Sequence, residues 1–305
     1  RPYYNSPGLP ISWEEKDYMP GKNEVVWVEN RLNAPLEVKK AFQFLHSDDP
    51  RTKRDGEGYL PSDQLYVFAP DSQKIMFKKA RRFTRSEMMV MDMLSTNEWK
   101  RPIYFAVTIG NDYHLGLDPY LELTGLAYRI TPERSADGRH RVNTEVMYDN
   151  MLHKFKYGNM NVPGIYIDEN TMRMCRTHRM MFMELAEALY NEGKHDKCLE
   201  VLDFAEEMLP GYNISYDYTS ATMAAYYYQL GEIEKANAIM TKVADNSVEY
   251  MAWGASLPKE QRASSQSTLQ QQLAILGYVL QNFERYEQKE LFNLYYDLYV
   301  QYASV

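Results

Sequence analysis

The side chains best placed for chemistry are Asn111, Asp112 and His114, in the run Gly110-Asn111-Asp112-Tyr113-His114. They follow the apolar stretch Ile103–Ile109, which reads as a strand, and open α/β sheets bind ligands at the carboxyl ends of their strands. A carboxylate and an imidazole this close could exchange a proton, so Asp112 and His114 form a candidate acid/base pair. The same run also reads as a polar turn after a strand, and that is the stronger reading. A second polar set, His46, Ser47, Asp48 and Asp49, has the composition of a hydrolytic site but directly follows a helical pattern, where such residues cap and turn the chain. The six histidines stand singly, without a His-x-x-x-His or Cys-x-x-Cys pair, and neither a phosphate-cradling glycine-rich loop nor a Gly-x-Ser-x-Gly elbow occurs. The sequence therefore assigns no catalytic residue, metal ligand or cofactor.

Binding has a firmer basis, in a helical repeat. A 34-residue frame starting at Arg179 places Phe182, Leu185, Ala186 and Leu189 on the core stripe of one helix and Cys198, Leu202 and Ala205 on the next, with Gly193 at the turn and Pro210 at the end. Ala186 and Cys198 are small where helices cross, Gly193 permits a left-handed turn, and Pro210 cannot continue a helix. A second frame starts at Asp217 with Met223, Ala224, Tyr227, Gly231, Ala236, Met240 and Val243. The offset is 217 − 179 = 38 residues, so Pro210–Tyr218 must absorb an insertion. Ser267–Tyr302 holds two more helix-length patterns that fit the frame poorly and read as an atypical terminal pair capping the stack.

In this architecture the first helix of each pair lines a groove. The frames put Met180, Met183, Glu187, Tyr190 and Asn191 on it in the first pair and Tyr218, Ala221, Ala225, Tyr228 and Gln229 in the second. The candidate binding residues are Glu187, Tyr190, Asn191, Tyr218, Tyr228 and Gln229, because tyrosine offers a rigid apolar face with a polar tip, suited to a peptide or a sugar. With 26 tyrosines in the chain, a purely structural role for these rings is the stronger alternative.

The elements before the repeats alternate. Glu24–Val28, Leu65–Phe68, Ile103–Ile109 and Leu126–Ile130 read as strands; Leu36–Leu45 and Arg85–Ser95 read as helices, the latter capped by Thr84 or Ser86 with Glu87 in its first turn. Strand, helix, strand in that order predicts a parallel βαβ unit. The expected fold is thus an α/β domain over residues 1–135, a connector over 136–167 with a short helix in Thr144–Phe155, and an all-α domain of tetratricopeptide-like helical repeats over 168–305.

Bulk properties narrow the function further. At 305 residues two domains are the natural expectation. A net charge of −8 and a pI near 5.4 argue against nucleic acid as a partner, and the basic run Lys78–Arg85 reads as a solvated helix start or loop. No apolar run reaches the ~18 residues of a membrane span. Cys175 and Cys198 lie too far apart along the expected helices to bridge. Arg1–Pro10 reads as the middle of a larger protein.

Several strings carry a resemblance: Ser6–Trp13 (SPGLPISW), Met91–Ala106 (MDMLSTNEWKRPIYFA), Leu115–Tyr120 (LGLDPY), Gly125–Arg129 (GLAYR), Arg141–Thr144 (RVNT), Tyr148–Asn150 (YDN) and Tyr166–Arg173 (YIDENTMR). Together they resemble the C-terminal soluble region, a domain of unknown function, of a family of large bacterial membrane proteins related to protein O-mannosyltransferases. That resemblance implies a parent with many membrane helices, a lipid-linked sugar donor and catalytic carboxylates in loops near its N-terminus. No such loop lies in this chain, so no catalytic residue carries over.

The expectation that follows is a non-catalytic accessory domain of a membrane-embedded glycosyltransferase on the periplasmic face. It recruits acceptor or partner, a protein, peptide or glycan, through the helical groove, and it also adjoins the parent's membrane portion. The alternatives are a small hydrolase or transferase using Asp112 and His114, and a structural domain packing on the parent's membrane part.

Overall fold

The computed structural model describes residues 25–54 and 56–303. The strings at Arg1–Pro10 and Ser6–Trp13 and the first residue of the Glu24–Val28 strand lie outside them. The chain divides between Asn143 and Thr144 into a sheet-rich unit and a helical unit.

The sheet unit is built from strands of two to four residues. β1 (Val25–Trp27) is followed by β2 (Leu36–Glu37), which runs directly into α1 (Val38–His46). A small antiparallel pair, β3 (Lys53–Arg54) and β4 (Glu57–Gly58), precedes β5 (Leu65–Phe68), β6 (Lys74–Met76) and β7 (Arg82–Thr84). β5 lies parallel to β2, with Leu36 opposite Leu65, and antiparallel to β6; β7 returns to β1, with Val25 opposite Thr84. α2 (Arg85–Asn97) starts at a reciprocal cap in which the Thr84 hydroxyl accepts from the Glu87 N–H and the Glu87 carboxylate accepts from the Thr84 N–H, as the sequence predicts. The last sheet runs in the order β11 (Arg141–Val142), β9 (Leu121–Leu123), β10 (Ala127–Ile130), β8 (Tyr104–Ala106), with only β11 and β9 parallel.

The parallel βαβ unit therefore forms one helix earlier than expected, as β2-α1-β5, and Leu65–Phe68 and the strand after Pro102 belong to different sheets. The expected strand Ile103–Ile109 shortens to β8 because the Ile109 N–H donates to the Ala106 carbonyl and turns the chain. Tyr104 and Ala106 are exposed and Phe105 is buried, the alternation of a strand with one wet face, not of a doubly covered parallel strand. One apolar core joins the small sheets. α1 gives Val38, Ala41 and Phe42, α2 gives Met88, Met91 and Leu94, and Leu65, Ile75, Phe83, Leu117 and Leu121 fill the space between.

The helical unit opens with a short helix, α3 (Thr144–Asp149), continued by a π turn over Asn150–Lys154. α4 (Glu169–Asn191) starts at Asp168, whose carboxylate accepts from the N–H groups of Asn170 and Thr171. α5 (His195–Met208), α6 (Tyr218–Gln229), α7 (Ile233–Ser256), α8 (Lys259–Arg285) and α9 (Lys289–Ala303) follow. α4 pairs with α5, α6 with α7 and α8 with α9, while α4 packs on α6 and α7 on α8. Every apolar position that the two frames place on the core stripe is at most 2% exposed, from Phe182 and Ala186 to Met240 and Val243. Fully burying side chains of leucine or methionine size contributes roughly 1.5–3 kcal/mol each. Cys175 and Cys198 are buried thiols with no bridge between them.

The terminal pair follows the frame more closely than its sequence suggests. Gly193 (φ 73°) and Gly231 (φ 85°) make the turns of the first two pairs, and Glu287 (φ 59°) makes the third. Counting back from Glu287 starts the third frame at 273, which puts Leu276, Val279, Leu280 and Phe283 on its core stripe, all buried. The offset from Gly231 is 287 − 231 = 56 residues because α7 runs to Ser256 and α8 starts at Lys259, well before the frame. Gly254 lies where these added turns cross, since a Cβ there would sit 2.2 Å from the Leu269 side chain. The exposed residues of α9 are mixed, Leu294, Tyr296 and Val300 standing beside Glu290, Asn293, Asp297 and Gln301.

Candidate functional site

The Asn111–His114 run forms one 3-10 turn after β8. His114 is only 2% exposed, its ring stacked on Phe105 at 5.2 Å and edge-on to Tyr128 at 5.5 Å. Its Nδ1 lies 2.9 Å from Oδ1 of Asp118, one turn further along. Asp118, not Asp112, is thus the carboxylate beside His114; Asp112 is exposed, and its backbone carbonyl accepts from Lys78 Nζ at 2.8 Å. Asn111 is also exposed. The structure does not assemble the Asp112/His114 acid/base pair, because the turn directs the two side chains to solvent and core respectively.

The His46–Asp49 run is a cap and turn. The Asp49 N–H donates to Ser47 Oγ, and Arg51 donates to both Asp49 carboxylate oxygens, holding that carboxyl down at about 2. No group of three His, Cys, Asp or Glu side chains among the described residues could hold a metal ion.

The groove residues scatter. Glu187, Asn191 and Gln229 are exposed, and Tyr190 is half-buried, stacked on His195 at 4.8 Å and tilted against Tyr226. Tyr228 is core, at 3% exposure: its ring stacks on Tyr286 at 4.4 Å and its hydroxyl donates to Asn237 Oδ1. Ala221 and Ala225 are buried as well, since α6 packs against both α4 and α8. Of the six candidates, Tyr218 lines a groove of substantial volume.

That groove, about 830 Å³, lies between the start of α6, the second half of α7 and the first half of α8. The departures from a 34-residue repeat build much of it: the insertion supplies Ser215–Asp217, and the added helical turns supply Trp253, Thr268, Gln271 and Gln272. α7 presents Asn246, Tyr250 and Trp253 and α8 presents Thr268, Gln271, Gln272 and Ile275, each a stripe at helical spacing. Tyr218, Tyr250 and Trp253 are 51%, 47% and 48% exposed, so three large rings each keep about half their surface in water.

Arg179 holds the insertion in place. Its guanidinium, 1% exposed, donates to the carbonyls of Leu209 and Ile214 at 2.8 Å and of Ser215 at 3.0 Å, and it lies over the Tyr216 ring. Burial lowers the Arg179 pKa from its ordinary value and raises that of Glu206, whose carboxylate accepts from the Tyr216 hydroxyl at 2.5 Å. The floor is fixed by two amides. Asn246 Nδ2 donates to the Tyr216 carbonyl, and Gln272 Oε1 accepts from the Ser247 hydroxyl, both at 3.0 Å. Each amide thus commits one end to the scaffold and keeps the other available. The stripes on α7 and α8 are visible in the sequence at i, i+3, i+4 and i+7, but Trp253, Thr268, Gln271 and Gln272 fall outside the 34-residue frames.

The sheet unit has its own cleft, of about 550 Å³, beside Lys100, Arg101 and Arg129 and facing Glu122 and Glu133. Its charges are mixed in sign, and its one indole, Trp99, already donates to the Phe68 carbonyl at 2.8 Å. Glu98 and Trp99, both left-handed (φ 49° and 60°), shape the turn beside it, and Lys100 and Lys39 hold the Glu98 carboxyl down at about 2.

Comparison with known proteins yields no curated protein and no solved structure similar to this chain. A family model does match: residues 67–150, from β5 through the last sheet to the end of α3, are similar to the family described as TMEM260-associated domain 2, a match that covers five of the seven strings named above but less than half of the chain.

Proposed function

We propose that this chain is a non-catalytic recognition domain of a membrane-embedded glycosyltransferase of protein O-mannosyltransferase type, and that it engages the acceptor or a partner through the groove between α6, α7 and α8. The observation that carries the reading is the groove itself, with three half-exposed rings beside polar side chains that the scaffold fixes in place. Binding sites in general pair a few fixed polar groups with apolar and aromatic faces. The match over residues 67–150 and the resemblance of the sequence strings support the link to that enzyme class. No helix among the described residues is long and apolar enough to cross a membrane, so in this reading the spans belong to a parent protein, with the domain on the periplasmic side of a bacterial cytoplasmic membrane.

The test uses a membrane protein that carries this chain. Recognition that is equal in ground and transition states raises KM and leaves kcat alone when it is lost. Trp253→Ala is expected to raise KM for the acceptor roughly tenfold, or about 1.4 kcal/mol, with kcat unchanged. Sugar transfer or hydrolysis by the isolated chain, abolished in Asp112→Asn, would overturn the reading in favour of an enzyme in the sheet unit.

A further inference from the structure

We infer that the ligand of the α6–α8 groove is a neutral carbohydrate chain, bound by stacking of its pyranose rings on the separate faces of Tyr250 and Trp253; this rests on the groove's being a recognition site at all. Four observations select that chemistry. The apolar surface on offer is flat ring faces, with Tyr250 and Trp253 edge to face at 5.7 Å and 76° and each about half exposed. A sugar ring carries a patch of C–H bonds on one face and can cover such a ring, whereas a peptide's apolar anchors need pockets to enter. The fixed amides offer complementary groups, Oδ1 of Asn246 as an acceptor and Nε2 of Gln272 as a donor, and each sugar hydroxyl both donates and accepts.

The charges fit a neutral ligand. One guanidinium, Arg176, faces two carboxylates, Asp217 and Glu249, and Asp217 is already committed to the Ser220 N–H at the start of α6. Phosphates and acidic peptides need a surplus of cations that this groove lacks. Its apolar floor is little more than Val243 and Ile275, too little for an amphipathic helix that would bury a continuous stripe. The insertion and the added turns of α7 and α8 create much of the groove, which meets the surface that helix pairs of this kind form along their first helices at Tyr218.

The test is direct binding to the whole chain. The probes are gluco-, manno-, galacto- and N-acetylglucosamine tetrasaccharides in one panel and unglycosylated twelve-residue peptides in another, read by calorimetry and tryptophan fluorescence. At least one tetrasaccharide is expected to bind with Kd below about 1 mM and to quench tryptophan emission. Trp253→Ala and, independently, Gln271→Ala are expected to weaken it about tenfold with unchanged thermal melting, since both side chains are exposed. Peptide binding that depends on Trp253, with no sugar bound, would overturn the carbohydrate assignment and keep the recognition reading. Sugar binding indifferent to both substitutions would overturn the site, and binding of neither panel would overturn both.

Discussion

In the helical unit most backbone hydrogen bonds close within a turn of helix, whereas the sheet unit joins residues far apart in sequence, Val25 to Thr84 and Leu36 to Leu65, through strands of two to four residues. The difference decides what carries stability. A helix pair propagates from its own periodicity and needs a specific side chain only where the repeat is interrupted. Short strands cannot set their own register, so capping and buried side chains must do it. Arg179 is the helical unit's largest exception, a buried cation that ties the insertion of the second pair to the first. Arg179→Met is accordingly expected to have the largest effect, about 3 kcal/mol, because the carbonyls of Leu209 and Ile214 would lose their partner inside the fold. Chemical denaturation would measure it, and a loss below about 1 kcal/mol would mean that the insertion holds itself.

The turns between paired helices test the opposite pole of the comparison, where local geometry alone should matter. At Gly193 an added Cβ meets nothing within 4 Å, so the cost of Gly193→Ala comes only from a φ of 73°. That conformation costs an L-residue roughly 1–2 kcal/mol, offset in part by lower entropy of the unfolded chain, which leaves about 1 kcal/mol of net destabilisation. A larger loss in thermal or urea unfolding would point to packing that the open space around this glycine does not show.

How much of this was legible follows the same division. The core of the first two helix pairs is visible in the spacing of Phe182, Leu185, Met223 and Tyr227, because helical burial repeats locally. The cap at Thr84 and Glu87 is legible for the same reason. Burial of Tyr228 is not, since it depends on Tyr286 at the far end of α8, and a repeat frame knows nothing of α8's position. The pairing of His114 with Asp118 leaves no periodic signature, since Leu115 (φ 59°) and Gly116 (φ 78°) carry the chain through a left-handed bend between them, whereas Asp112 is simply nearer in sequence. Sheet pairing was the least legible, because β2 is two residues long and no periodicity marks it. The left-handed pair Glu98 and Trp99 likewise leaves no local signature, as neither is glycine or asparagine.

In the sheet unit the cap of α2 provides a pH-dependent contrast. Burial alone would raise the Glu87 pKa, but Lys78 at 2.8 Å and the Thr84 N–H outweigh it and hold the value below the ordinary range. A carboxyl with a depressed folded pKa contributes stability above its unfolded pKa and loses it as pH falls through the folded one. Glu87→Gln is therefore expected to cost about 1 kcal/mol at pH 7 and progressively less below about pH 4.5. Melting curves across that range would show the wild-type and variant values converging, and a gap that persists at pH 3 would place the contribution in packing.

The smallest effect is expected at Glu287, and it is the sharpest check on whether the terminal pair is a true third repeat. In all three turns the left-handed residue donates to the carbonyl three back and its successor to the one five back. Gly193 to Tyr190 with Lys194 to Leu189, Gly231 to Tyr228 with Glu232 to Tyr227, and Glu287 to Glu284 with Gln288 to Phe283 are the same motif. Glutamate at this position is strained where glycine is not, so Glu287→Gly relieves roughly 1 kcal/mol of native strain and returns part of it as unfolded-chain entropy. The net expectation is stabilisation of about 0.5 kcal/mol or less, opposite in sign to Gly193→Ala. A destabilised variant would show that the Glu287 side chain is held in a contact of its own, and the likeness among the three turns would then be one of backbone only.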